Sequence, residues 1–292
     1  MSAKAPLVRI GIGSLHIGWQ ALLYGVPLVF LASISFWVVE NYSLTPAFTL
    51  KSYQQLFSKP QYMNAVENSL RLALTASALA VILALPVAYT VIFHVSRKVQ
   101  RYILLGLLLP FFSSYVMRMF AWQIWLNDQG ILASVLRTII GYQERLQLIF
   151  TETAVLIGLL SFLVPVASII IYLSLSRLDL TLVAAARNLG ASRWQTFLRV
   201  ELPFALPGML VSSLFCFLIA FGDFVCSSIL GGNRTYYLSV AIQDRLKINE
   251  WPMAAGLGTI MLILTISVLV ALFSFFGKLP TTARRRPRED RA

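Results

Sequence analysis

The chain has 292 residues, 58% of them hydrophobic and 12% charged, with a mean hydropathy of +0.76, a composition that excludes an ordinary soluble globular domain and calls for several membrane spans. In a soluble protein the net charge of +12 and the pI near 10.0 would suggest nucleic acid; in a membrane protein basic residues gather in cytoplasmic loops, so no nucleic-acid partner is expected. Two cysteines (Cys216, Cys226) and two histidines (His16, His94) offer no disulfide framework and no metal-ligand set, and no G-x-x-x-x-G-K-S/T loop is present, so this chain is expected to bind no cofactor and hydrolyse no ATP.

Six apolar segments are each long enough, at about 20 helical residues, to cross a hydrocarbon layer of about 30 Å. They are 19–39, 69–93, 102–126, 153–175, 207–230 and 254–276. The first has no small-residue cleavage site and is too long for a signal-peptide core, so it reads as a retained anchor behind a cytoplasmic segment 1–18. The stretches 41–68 and 127–152 carry turn residues, aromatics and mixed charge, as outer loops with interfacial helices would. Pro86, Pro110 and Pro165 fall inside spans, where neighbouring helices can satisfy the freed carbonyls, and kinks are expected there. The basic tail 277–292 is drawn to anionic lipid. With the N-terminus inside, fifteen Lys and Arg flank the inner ends of the spans and seven the outer ends, which places both termini in the cytoplasm. The expectation is an all-α integral membrane protein of six spans, 19–276, with a long cytoplasmic loop at 177–206.

That loop is the most structured polar stretch in the sequence. Asp179 can cap a short helix through 180–189, rich in Ala184, Ala185 and Ala186 and carrying Arg187. Gly190 supplies a left-handed terminus. Ser192 and Gln195 match a capping box, so a second short helix is expected from Arg193 to about Leu202, stopping before Pro203. Neither helix would be stable alone. Trp194, Phe197 and Leu198 make a bulky apolar face after the alanines, suited either to the membrane interface or to a docking protein.

Two charged residues fall within spans. Arg118 and Asp223 each lie 16 residues beyond the cytoplasmic start of the third and fifth spans, about 24 Å in at about 1.5 Å per residue, so the two can meet. Either they form a structural ion pair, or Asp223 lines a translocation path and attracts a cation, with Tyr115, Trp122, Phe221 and Phe224 offering aromatic faces.

The order Ala185-Ala186, Gly190, Phe197, Leu202-Pro203 resembles the EAA loop of ATP-binding-cassette (ABC) importer permeases. Phe48-Thr-Leu-Lys-Ser-Tyr53, Asn68-Ser-Leu70, Leu109-Pro-Phe-Phe-Ser-Ser-Tyr115 and Phe221-Gly-Asp-Phe224 resemble the spermidine/putrescine permease family over nearly the whole chain. The resemblance implies a type I ABC importer permease fold in a bacterial cytoplasmic (inner) membrane. Its implied partners are two ATPase subunits holding ATP and Mg, a second and homologous permease, and an external solute-binding protein; its implied substrate is a polyamine. The family's signature glutamate would fall at Ala184 and the preceding acid at Val183, so both carboxylates are missing here, and Asp179 and Arg187 remain as polar candidates for the coupling loop. The rival readings are a permease for another small solute, an ion-gradient-driven transporter, which would want several intramembrane carboxylates, and a membrane-embedded enzyme, which would need a nucleophile, base or metal cluster.

Overall fold

The computed structural model describes residues 18–40, 43–140, 147–232 and 234–276. The expected cytoplasmic N-terminal segment, apart from Gly18, and the basic tail lie outside the described residues. In chain order the elements are α1 (Gly18–Ile34), β1 (Val38–Glu40), β2 (Ser43–Thr45), α2 (Lys51–Ser58), α3 (Pro60–Phe93), α4 (Arg97–Phe112), α5 (Tyr115–Leu126), α6 (Ile131–Ile140), α7 (Glu152–Leu175) and α8 (Leu180–Asn188). They continue with α9 (Arg193–Gly222), α10 (Val225–Gly231), α11 (Leu238–Lys247) and α12 (Trp251–Phe276).

The core is a three-helix contact of α3, α7 and α9. Small residues face each other there: Ala65, Ser69, Ala73, Ala76, Ala80, Ala84 and Ala88 recur along one stripe of α3, and Ala205, Gly208, Ser212, Cys216 and Ala220 along one of α9. In lipid, where apolar surface alone gives little drive between helices, such stripes bring backbones close enough for dispersion and local hydrogen bonds to act. At the tightest point a Cβ on Gly208 would lie 2.5 Å from Ser174 Cβ and 3.1 Å from Ile171 Cα. Ser174 uses that proximity: its Oγ donates to the Phe204 carbonyl at 2.8 Å and accepts from the Gly208 amide at 3.1 Å. The end of α7 is thereby fastened to α9.

Among the described residues, four helices are long and apolar enough to cross a membrane: α3, α7, α9 and 251–274 of α12. The expected spans 153–175 and 254–276 correspond closely to α7 and α12. Three of the others differ. Segment 19–39 is helical only to Ile34; Ser35 Oγ bonds Tyr53 Oη at 2.8 Å, Phe36 stacks on Phe48 at 5.0 Å, and Val38 and Val39 pair in the β1–β2 hairpin, the only strands among the described residues. Segment 102–126 is no single helix, because the path turns by 95° between Arg97–Phe112 and Tyr115–Ile139. Segment 207–230 ends at Gly222 and resumes as α10. Length and hydropathy sum over such breaks and cannot register them. Pro86 and Pro165 sit within the unbroken helices α3 and α7, whereas α4 ends two residues after Pro110.

Candidate functional sites: the hinged surface helices and the paired helix breaks

The polar island after α7 is built as its local signals require. Asp179 Oδ1 accepts from the Thr181 amide at 2.9 Å and starts α8. That same bond holds the exposed Asp179 carboxyl below the usual carboxylate range. Gly190 follows at φ +85°, with no other atom within 4 Å of where a Cβ would stand. Both capping-box bonds are present, Gln195 N to Ser192 Oγ at 3.2 Å and Ser192 N to Gln195 Oε1 at 3.0 Å.

The expected stop before Pro203 does not occur. The helix begun at Arg193 widens into one π turn, Phe197–Glu201, and runs on through Pro203 to Gly222. In this turn the Leu202 amide bonds the Phe197 carbonyl, five residues back. The wider turn gives a proline ring room against the preceding carbonyls, so the helix absorbs Pro203 instead of ending. The second surface helix is therefore the first part of α9.

The island is anchored by Val183, 7% exposed, and by buried Thr196, whose hydroxyl donates to the Ser192 carbonyl at 3.0 Å. Phe197 packs edge-on against Tyr89 at the end of α3, 5.7 Å between centroids, and carries Trp194 stacked on its other side at 5.6 Å. Ala184, Ala185 and Arg187 face outward, with Ala186 partly covered. Around them Leu180, Leu182, Leu189 and Leu198 are exposed, Leu189 at 90% and Trp194 at 67%. Five apolar side chains so exposed, flanked by Arg187, Arg193 and Arg199, form an apolar patch with a basic rim. Leu202 and Pro203 lie under it, half-buried.

The second group surrounds the two helix breaks. Arg118 and Asp223 form no ion pair among the described residues; each caps a break. Arg118 Nη2 donates to the Pro110 carbonyl, to Ser113 Oγ at 3.0 Å and to the Ser113 carbonyl at 3.4 Å, at the C-terminal end of α4. Asp223 Oδ1 accepts from the Cys226 amide at 2.7 Å, and its own carbonyl accepts from Ser227 Oγ at 3.1 Å and Ser239 Oγ at 2.8 Å, at the start of α10. A cation at a helix C-terminus and an anion at a helix N-terminus match the backbone partial charges there. Interrupted helices inside a membrane need such partners.

Tyr115 joins the two. Its hydroxyl donates to Asp223 Oδ2 at 2.6 Å, while the Arg118 guanidinium lies 5.8 Å from its ring and 5.5 Å from that of Phe162. Trp122 lies apart, with Trp125, Ala121 and Arg118, around a recess of about 280 Å³. Phe221 is 2% exposed and stacked on Phe217 at 5.4 Å, and Phe224 is half-buried. Of the six candidate path residues, the structure thus brings Tyr115, Arg118 and Asp223 together, sets Trp122 beside Arg118 on the rim of that recess, buries Phe221 against Phe217 and leaves Phe224 half-buried. Sequence reading missed Ser113, Ser174 and Ser227, whose hydroxyls serve the breaks and the α7–α9 contact; the Pro-x-x-Ser spacing at Pro110 was the available signal.

A family model described as "Binding-protein-dependent transport system inner membrane component" matches residues 80–280. The chain is 31% identical over 257 residues to the spermidine/putrescine transport system permease protein PotB of Escherichia coli (strain K12), covering 87% of this chain and 93% of that protein. It is similar in fold to a bacterial ABC transporter involved in the import of the acidic polysaccharide alginate, with a TM-score of 0.77 at 16% identity over 94% of this chain and 97% of the other. The bacterial alginate ABC transporter in complex with an alginate pentasaccharide-bound periplasmic protein gives a TM-score of 0.74 at 18% identity over 92% and 93%.

Proposed function

We propose that this chain, which belongs to the binding-protein-dependent transport system inner membrane component family, is the permease subunit of an ATP-driven importer whose substrate is a polyamine such as spermidine or putrescine. It pairs with a second permease and two ATPase subunits, which hold ATP and Mg, and receives solute from an extracytoplasmic binding protein. The full arrangement has six crossings, α1 and the bent α4–α5 pair completing the four long helices, with both termini cytoplasmic.

One observation carries the coupling half of this reading: the docking patch is continuous with a membrane helix. Movement imposed by an ATPase on Trp194 enters α9 directly, since Arg193–Gly222 has no break, and movement of Leu180 and Leu189 on α8 reaches it through the Gly190 elbow. Ser174 holds α7 to the same helix at Phe204 and Gly208, so α7 and α9 move together as one body. At its far end α9 stops beside Asp223 and its bond to Tyr115 of α5, which puts the second group of residues within reach of the motion. With Ala184 in place of the family's glutamate, docking rests on apolar contact and on the arginine rim.

The substrate half rests on the 31% identity to a spermidine/putrescine permease over most of both chains. The test is reconstitution of the complex, co-purified from native membranes, into liposomes. Uptake of radiolabelled spermidine that requires internal ATP and the binding protein, and that putrescine competes, is the expected result. Uptake that follows an ion gradient without ATP overturns the reading.

A further inference from the structure

The 34 residues of α3 extend for about 51 Å, well beyond a hydrocarbon layer of about 30 Å. Its apolar part, Leu72 to Val91, ends near Tyr89 and the island. At the opposite end, Gln61, Asn64, Asn68 and Arg71 share one helix face and form one wall of a cleft of about 730 Å³. Arg234, Thr235 and Tyr236, ahead of α11, and Arg245 within it form the other wall. The two walls are fixed to each other: Asn68 Nδ2 donates to the Tyr236 carbonyl at 3.2 Å and the Leu238 amide to Ser69 Oγ at 2.8 Å.

The cleft carries three guanidiniums and no acidic lining residue. Arg71 is balanced by Glu152 at 2.7 Å, and Arg245 by Glu250 at 2.8 Å while it lies over the Tyr62 ring at 5.5 Å. Arg234 is exposed and has no ion-pair partner among the described residues. The uncompensated charge therefore sits at Arg234, facing the exposed amides of Gln61 and Asn64. From Arg71 to Gln61 the wall rises about 15 Å along α3, whereas a headgroup layer is about 5 to 8 Å deep. A lipid phosphate cannot fill that height, and the uncompensated guanidinium of Arg234, with no acidic residue lining the cleft, repels a polyamine. What fits is a carboxylate on a soluble protein, which guanidinium and amide donors hold together.

We propose that this cleft is the docking point for an acidic surface segment of the extracytoplasmic solute-binding protein, with Arg234 as its central contact and Gln61 and Asn64 as supporting donors. This rests on the importer reading above. It assigns the cleft to delivery of the partner and not to passage of the solute.

The test measures binding of the system's own solute-binding protein, loaded with spermidine, to the complete transporter in nanodiscs. Arg234→Glu and the near-isosteric pair Gln61→Glu with Asn64→Asp are compared with the unsubstituted complex, basal ATP hydrolysis serving as the check of assembly. In low salt each variant is expected to raise the Kd about tenfold, and at 0.5 M NaCl about twofold, since exposed charge pairs are screened. A charge-reversed acidic residue on the binding protein should restore affinity to Arg234→Glu. If the unsubstituted complex binds the protein and both variants bind it equally well, this inference fails while the importer reading stands. If the unsubstituted complex binds no such protein, both fail. A variant effect that tracks the anionic lipid content of the nanodisc and not the binding protein overturns the proposal in favour of a headgroup.

Discussion

Replacing Gly190 separates backbone conformation from side-chain bulk at the elbow between α8 and α9. At φ +85° and with open space around its Cα, an alanine meets no neighbour, so its whole cost is the left-handed backbone, roughly 1 to 2 kcal/mol. That lowers the population of the docking-competent elbow about 5- to 30-fold. Asparagine tolerates this region far better and should lose less than about threefold, while β-branched valine should lose more than alanine. The readouts are retention of the ATPase in pull-downs and ATP-dependent spermidine uptake per assembled complex, and both should follow the order Gly, Asn, Ala, Val. Wild-type coupling in Gly190→Ala would show that the elbow needs no left-handed residue. Equal loss in Gly190→Asn and Gly190→Val would show that bulk on the patch matters and the backbone does not; either result refutes the reasoning.

Gly208→Ala places a methyl 2.5 Å from Ser174 Cβ and 3.1 Å from Ile171 Cα, and overpacking of this kind costs about 1 to 3 kcal/mol; thermal unfolding of the purified complex should show a lower Tm, partly recovered by adding Ser174→Gly. Asp223→Asn should assemble better than Asp223→Ala, because an amide oxygen can still accept from the Cys226 amide, and spermidine uptake by assembled Asp223→Asn complex measures what the charge itself adds. The charge swap Arg118→Asp with Asp223→Arg should give no more assembled complex than either single change, because it puts an anion at the C-terminus of α4 and a cation at the N-terminus of α10; recovery would mean the two charges act on each other. The carboxyl of Asp179 ionises below its ordinary range in the folded chain, so its contribution is complete above that range and is lost as pH falls through the lowered value. Amide exchange in α8 should therefore accelerate in acid in the unsubstituted chain and stay pH-independent, beyond the intrinsic rate, in Asp179→Ala.

The island was readable from sequence almost residue by residue, because its devices are local. A carboxylate two residues before the amide it caps, a glycine at a positive φ and a Ser-x-x-Gln box are fixed by spacing along the chain and need no distant partner. The single local error there, a stop at Pro203, came from a rule that holds for a regular α-helix, and one π turn removes the clash on which the rule depends. The apolar segments were readable in approximate place but not in continuity. Hydropathy averages over about 20 residues and cannot see that Ser113, Ser114 and Asp223 leave the helix, since all three sit among strongly apolar neighbours.

The same limit explains why Arg118 and Asp223 looked like a pair. Two opposite charges at equal depth satisfy a one-dimensional test for an ion pair, and a continuous helix offers a charge nothing else to bind. Once α4 and α9 are broken, each break exposes backbone groups in a medium that cannot hydrate them, and the strongest available partner differs in sign at the two ends. Arg118 goes to the carbonyls of Pro110 and Ser113, and Asp223 to the amide of Cys226. Tyr115, with one hydroxyl to give, links the breaks without joining the charges. The cost of a charged residue in a membrane is here offset by helix ends that would otherwise be unsatisfied, and Tyr115 links those two ends at the far end of α9 from the island.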